Sequence, residues 1–163
     1  MTKELNNLFS LEGKVIVITG AAGLLGQKHA KAIAAYGGNP ILLDLSKDAV
    51  EVLAEKLNKQ YGVKSAGFVV DITDELQVEK NAAYLIDQYG KIDGLVNNAA
   101  HNPKVETGED KNFSRLENFS LNIWNQDIAV GLTGAFLCAK HYGHQISKNP
   151  EGGSIVNIAS DLG

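Results

Sequence analysis

The stretch Thr19-Gly20-Ala21-Ala22-Gly23-Leu24-Leu25-Gly26 decides the reading of this chain. It follows Val15–Thr19 (VIVIT), a β-branched run suited to a strand buried on both faces. Beyond it, Gly26, His29, Ala30, Ile33 and Ala34 form a stripe at i, i+3, i+4 spacing, with Gln27, Lys28 and Lys31 on the other side of a helix. A glycine-rich turn between such a strand and such a helix aims bare backbone amides, at the positive end of the helix dipole, toward a diphosphate. Gly20 allows the tight exit from the strand, Gly23 the close approach of phosphate, and Gly26 close packing of helix on sheet, while Leu24 and Leu25 present the first helical amides. No Gly-Lys-Ser/Thr follows these glycines, which excludes a Walker A loop.

Working outward, Gly37-Gly38 ends the first helix and Ile41–Asp44 is again strand-like. Ser46 is placed to cap a second helix with the stripe Val50, Leu53, Ala54, Leu57, Tyr61, stopped by Gly62. Gly67–Asp71 gives a third strand, and Thr73 is placed to cap a helix lined by Val78, Ala82, Leu85, Ile86 and Tyr89, with Gly90 closing it. Ile92–Val96 is a fourth strand, Asn97 to about Leu121 a long polar loop, Trp124–Ile146 a long helix, and Ser154–Ala159 a fifth strand. Alternating short apolar strands and helices predict an α/β fold with a doubly wound parallel sheet. Without repeats, low-complexity tracts or linkers, residues 1–163 read as one dinucleotide-binding domain.

Asp44 lies eighteen residues past Gly26, the spacing expected of a carboxylate that accepts hydrogen bonds from an adenosine ribose. Its charge would repel a 2′-phosphate, and Lys47 is the only cation nearby, so NAD is favoured over NADP. Composition agrees with a folded domain: 44% hydrophobic and 21% charged residues leave no case for wholesale disorder. Fifteen Lys and Arg against nineteen Asp and Glu give a net charge of −4, which argues against nucleic acid or a membrane surface as partner. Cys138 stands alone among the cysteines, and with four histidines it makes a poor metal inventory, so no metal site is expected. The N-terminal residues carry no apolar stretch, and Ala129–Ala139 is too short and glycine-rich to span a bilayer, so a cytoplasmic protein is expected.

Four blocks in order, TGAAGLLG at 19–26, VDIT at 70–73, LVNNAA at 95–100 and GSIVNIAS at 153–160, resemble the short-chain dehydrogenase/reductases. The resemblance covers nearly the whole chain from Leu11 onward and implies a Rossmann fold and NAD(P)-dependent interconversion of a secondary alcohol and a ketone. By resemblance, Asp71 contacts the adenine with Ile72 beside it. Asn97, Asn98 and Ala99 match the strand-end segment that supports the sheet and lines the adenosine-ribose side, with Asn98, Ala99 and Ala100 expected to bind the coenzyme. Ser160 matches the catalytic serine. The family also implies a small alcohol or carbonyl substrate and a homodimer or homotetramer, with Trp124, Ile128, Leu132, Phe136 and Leu137 as core and subunit interface.

Several positions depart from the family pattern. The glycine spacing, Gly-x-x-Gly-x-x-Gly, resembles the branch holding nucleotide-sugar epimerases and dehydratases, a rival function. Gly131 stands where the family usually has an Asn that organises a proton relay. None of Tyr36, Tyr61, Tyr84, Tyr89 or Tyr142 has a Lys four residues on, so the family's Tyr-x-x-x-Lys pair is missing. The expectation is therefore the N-terminal part of a longer domain, with five strands present, the C-terminal strands missing and little activity on its own. A non-catalytic dinucleotide-binding module is the second rival. His141 and His144, three apart on the long helix, are expected at the surface, and Cys138 in the core.

Overall fold

The side chains of β1 (Val15–Thr19) alternate between two cores: Val15 and Val17 enter one, Ile18 the other. The computed structural model describes residues 8–101 and 115–159. Five parallel strands form one sheet in the order β3-β2-β1-β4-β5, with β2 at Asn39–Asp44, β3 at Ala66–Val69, β4 at Gly94–Asn97 and β5 at Ser154–Asn157. Val17 pairs with Ile41 on one side and Leu95 on the other, and Leu95 with Ile155, so the alternation stays in phase across the sheet. α1 (Leu24–Ala35) and α2 (Lys47–Tyr61) cover Ile18 and Leu42 on one face with Ala30, Ile33, Val50 and Leu57. On the other face, α3 (Glu75–Tyr89) and α5 (Ala135–Ile146) bring Val78, Leu85, Cys138 and Tyr142 onto Val17, Leu43 and Leu95. The doubly wound parallel sheet expected from the sequence is the architecture observed.

Some boundaries differ. β2 begins at Asn39, two residues before the expected start, because Pro40 sits near the strand's beginning and its carbonyl accepts the Ser65 hydroxyl at 2.7 Å. β3 starts one residue earlier than expected and ends at Val69, β4 is shifted to Gly94–Asn97, and β5 stops at Asn157. Ser46 does occupy the N-cap of α2, but its hydroxyl makes no capping bond. The cap of α3 is Asp74 rather than Thr73: its carboxylate accepts the amides of Leu76 and Gln77 at 3.0 and 3.3 Å, and its negative charge suits the helix dipole.

The expected long helix begins earlier and is broken. α4 (Leu121–Ile128) is capped by Ser120, a π-helical turn follows at Ala129–Gly134, and α5 completes it. A Cβ on Gly134 would lie 2.7 Å from Ile72 Cδ1, so the turn packs against the end of β3 only because that residue is glycine. Of the apolar residues expected in the core here, Leu137 is buried, whereas Trp124, Leu132 and Phe136 are 53%, 64% and 61% exposed. Among the described residues, no helix is long and apolar enough to cross a membrane.

Candidate functional site

The carboxyl ends of β1 and β4 are tied together by Thr19 and Asn98. The buried Thr19 hydroxyl oxygen accepts the amides of Asn98 and Ala99, each at 3.0 Å. In return, the Asn98 side-chain amide donates to the carbonyls of Thr19 at 2.9 Å and Gly20 at 3.2 Å. Asn97 makes the next cross-link, donating to Asn157 Oδ1 at 2.9 Å and to the Ala135 carbonyl at 3.3 Å. The strands are added outward on one side from β1 to β3 and on the other from β4 to β5, and the crevice at such a switch point between β1 and β4 is where open α/β sheets bind ligands.

The glycine turn is built for close backbone approach. Gly20 has φ +61°, and a Cβ there would lie 2.8 Å from Ala99 Cα, so no other residue fits between the two strand ends. At Gly26, a Cβ would lie 2.3 Å from the Gly20 carbonyl oxygen and 2.7 Å from Ala21 Cα, which fixes α1 directly on the turn. Gly23 is the N-cap of α1 and supplies no side-chain acceptor, so the opening amides of the helix lack a side-chain cap. That is the donor set a diphosphate requires.

Two carboxylates flank this turn. Asp44, the last residue of β2, accepts the Ala22 amide through Oδ2 at 2.9 Å and the Leu45 and Ser46 amides through Oδ1 at 2.8 and 3.3 Å. Asp71 accepts the Thr73 amide and hydroxyl at 2.9 and 2.7 Å, while its own amide donates to Gln77. Thr73 thus steadies Asp71 instead of capping α3.

A cavity of about 560 Å³ runs along these strand ends, a volume within the range of small-ligand and cofactor sites. Gly20, Gly23, Leu24 and Leu25 form its β1 side, Asp44 its β2 side, Asp71 and Ile72 its β3 side, and Asn98, Ala99 and Ala100 its β4 side. Gly26 packs beneath the turn rather than lining the cavity, and Ser160 lies outside the described residues. Much of the loop His101–Leu121 lies outside them as well. Among the described lining residues, Asp44 and Asp71 are acidic and none is Lys or Arg. The glycine cradle, the bare helix start and a carboxylate one strand away fit the dinucleotide implied by the fold.

The sequence reading missed His101. This residue lines the cavity beyond Ala100, and its Nδ1 lies 2.7 Å from Asp127 Oδ1 on α4. Its only sequence signal was its place directly after the NNAA block, and nothing in the spacing linked it to Asp127.

Among the described residues that line the cavity there is no tyrosine. Tyr142 is fully buried and donates its hydroxyl to Asn81 Oδ1 at 2.9 Å, and burial, reinforced by Cys138, pushes its ionisation upward. Burial likewise pushes the Cys138 thiol up to about 12, so this cysteine is a core residue and no nucleophile. His141 is 3.1 Å from Glu75 Oε1, beside Lys140 at 2.6 Å, and these partners hold the Glu75 carboxyl below its ordinary value.

Comparison with known proteins agrees with this geometry. The chain is 34% identical over 152 residues to a D-threitol dehydrogenase of Mycolicibacterium smegmatis, covering 93% of this chain and 54% of that protein. It is 34% identical to an NADP-dependent mannitol dehydrogenase of Hypocrea jecorina, covering 94% and 55%. A crystal structure of NAD+-bound xylitol dehydrogenase superposes with a TM-score of 0.80 at 28% identity, covering 92% of this chain and 54% of that one. The chain thus spans about half the length of the relatives it matches. These relatives are dehydrogenases by name, and none of the three is a nucleotide-sugar epimerase or dehydratase. Over residues 14–163 the sequence matches the profile of short chain dehydrogenases, and the chain belongs to that family.

Proposed function

We propose that the full-length protein binds NAD(H) along the Gly20–Asp44–Asn98 crevice and interconverts a secondary alcohol with a ketone. A bound nicotinamide coenzyme supplies the hydride acceptor or donor. The amides of Leu24 and Leu25 hold the diphosphate, and Asp44 accepts the ribose hydroxyls on the β2 side. Asp71 and Ile72 bound the adenine, while Asn98, Ala99 and Ala100 keep the backbone close beneath the coenzyme. Ser160 is assigned the hydrogen bond to the substrate oxygen, on the strength of the family resemblance. The exposed stripe of Leu121, Trp124, Leu132 and Phe136 is assigned to self-association as a homodimer or homotetramer.

The observation that carries this reading is Asp44, a carboxylate one strand away from an uncapped helix start in the same cavity. Among the described residues that line the cavity, no Lys or Arg stands beside Asp44 to receive a 2′-phosphate, which supports NAD over NADP. Titrating the full-length protein with NADH and NADPH, followed by coenzyme fluorescence, tests it. Tighter binding of NADH is expected, and tighter binding of NADPH would overturn the assignment of Asp44.

A further inference from the structure

We propose that His101, held by Asp127, carries the proton between this crevice and bulk water during the alcohol–ketone reaction, a role that rests on the function proposed above. Geometry comes first. A dinucleotide whose adenosine ribose sits at Asp44 on β2 extends across β1 toward β4, because the cavity runs that way along the strand ends. His101 stands at that far end, four residues past Asn97, the last residue of β4. It is therefore on the nicotinamide side, where the bond to hydrogen breaks.

Exposure comes second. His101 lines the cavity, and its side chain and that of Asp127 are 30% and 37% exposed, so the histidine faces the cavity while the pair keeps access to solvent. A proton carrier needs both contacts. Among the described residues, Asp127 is the charged group that His101 contacts, and Asp44 and Asp71 share the cavity wall nearer the β2–β3 end.

The stoichiometry releases a proton for such a carrier. When a secondary alcohol becomes a ketone, the C–H bond gives its electron pair and hydrogen to nicotinamide C4, and the O–H bond gives a proton. The C=O bond forms, and one proton must reach water in each turnover. An imidazole exchanges protons in both directions near neutral pH. Asp127, a positioning residue, accepts from Nδ1–H, fixes that tautomer and leaves Nε2 as the acceptor. The same carboxylate stabilises the imidazolium that forms in passing.

Two measurements on the full-length protein test the assignment. In the first, the His101 ring proton resonance is titrated in complexes with NAD+ and with NADH. The positive nicotinamide ring should lower the midpoint by about half a pH unit or more in the NAD+ complex. Identical midpoints would place His101 away from the nicotinamide and overturn the proposal. In the second, xylitol and mannitol are oxidised with NAD+ by wild type, His101→Gln, His101→Ala and Asp127→Asn. With NADH affinity kept within about twofold, His101→Gln should slow turnover by about 100-fold and flatten the pH profile. Added imidazole should restore part of the rate in His101→Ala. An unchanged pH profile in His101→Gln refutes the relay. Should the variants not fold, the ring titration of wild type decides alone. Wild type that leaves NADH fluorescence unchanged would sink the coenzyme function itself, an outcome separate from either result at His101.

Discussion

Asp44 Oδ2 lies 2.9 Å from the amide of Ala22, so the carboxylate at the end of β2 is hydrogen-bonded to the glycine turn that follows β1. One side chain therefore does two jobs. It fixes the turn's backbone while presenting negative charge to whatever lies along the cavity. Removing it should weaken fold and ligand together. Asp44→Ala leaves the Ala22 amide without its acceptor and is expected to cost about 1–2 kcal/mol in urea denaturation. NADH affinity should fall about tenfold or more, with the preference over NADPH reduced, as read by fluorescence titration.

Gly26 and Gly23 should fail in different ways. A Cβ at Gly26 meets backbone at 2.3 and 2.7 Å, which neither the turn nor α1 can relieve without moving. Gly26→Ala is expected to lose about 1–3 kcal/mol of stability. At Gly23 the nearest atom is the Gly20 carbonyl oxygen at 3.2 Å, and the residue is exposed. Gly23→Ala should keep its denaturation midpoint close to wild type yet bind NADH far more weakly, because its methyl group occupies the approach of the diphosphate. Equal NADH affinity in Gly23→Ala would argue against a phosphate at this turn.

The elements were legible wherever periodicity and local stop signals agreed. VIVIT, the stripe through Val50 and Leu57, and the closing glycines Gly62 and Gly90 placed the strands and helices within a few residues. The site was legible where it is local in sequence: the glycine turn, Asp44 and the Asn98–Ala100 segment meet in one cavity. What stayed hidden depends on residues distant in sequence. The π-helical turn answers to Gly134 packing on Ile72, and His101 draws its partner Asp127 from twenty-six residues away. Asp74 won the cap over Thr73 because Thr73 is engaged by Asp71, a competition that spacing alone does not rank.

Tyr142 offers a test of the core that is independent of the coenzyme. Its ring is fully buried between sheet and α3, and its hydroxyl donates to Asn81, itself only 9% exposed. Tyr142→Phe keeps the ring but leaves the Asn81 carbonyl oxygen without this donor, an expected loss of about 1–3 kcal/mol by thermal or urea unfolding. NADH affinity should stay within twofold of wild type, since neither residue lines the cavity. Full stability in Tyr142→Phe would show that Asn81 finds another donor.

Self-association has its own readout. Phe136 and Leu132 are exposed on the outer side of the α4–α5 arm, together with Trp124 and Leu121. Phe136→Glu should shift the full-length protein to a smaller species in light scattering while leaving secondary structure intact. A wild-type protein that is already monomeric would remove this stripe as an interface.

Asp93 ties the beginning of β1 to the beginning of β4. Its carboxylate accepts the Val15 amide at 2.8 Å and pairs with Lys14 at 3.3 Å and Lys91 at 3.1 Å. Burial alone would raise its ionisation, but the Val15 amide and the two ammonium groups outweigh it and hold the carboxyl below its ordinary value of 3.8. A carboxyl depressed in the folded state contributes its stability fully above that ordinary value, and the contribution is lost as pH falls through the lower folded value. Asp74 and Glu75 are also depressed, so acid unfolding of wild type alone would not single out Asp93. The comparison with Asp93→Asn does. At pH 7 the wild type should be more stable by about 1 kcal/mol, through the lost ion pairs. By about pH 2 the difference should vanish, because both side chains are then neutral. A gap between the two urea midpoints that stays constant from pH 7 to pH 2 would mean that the Asp93 charge contributes nothing and that the Val15 hydrogen bond alone matters.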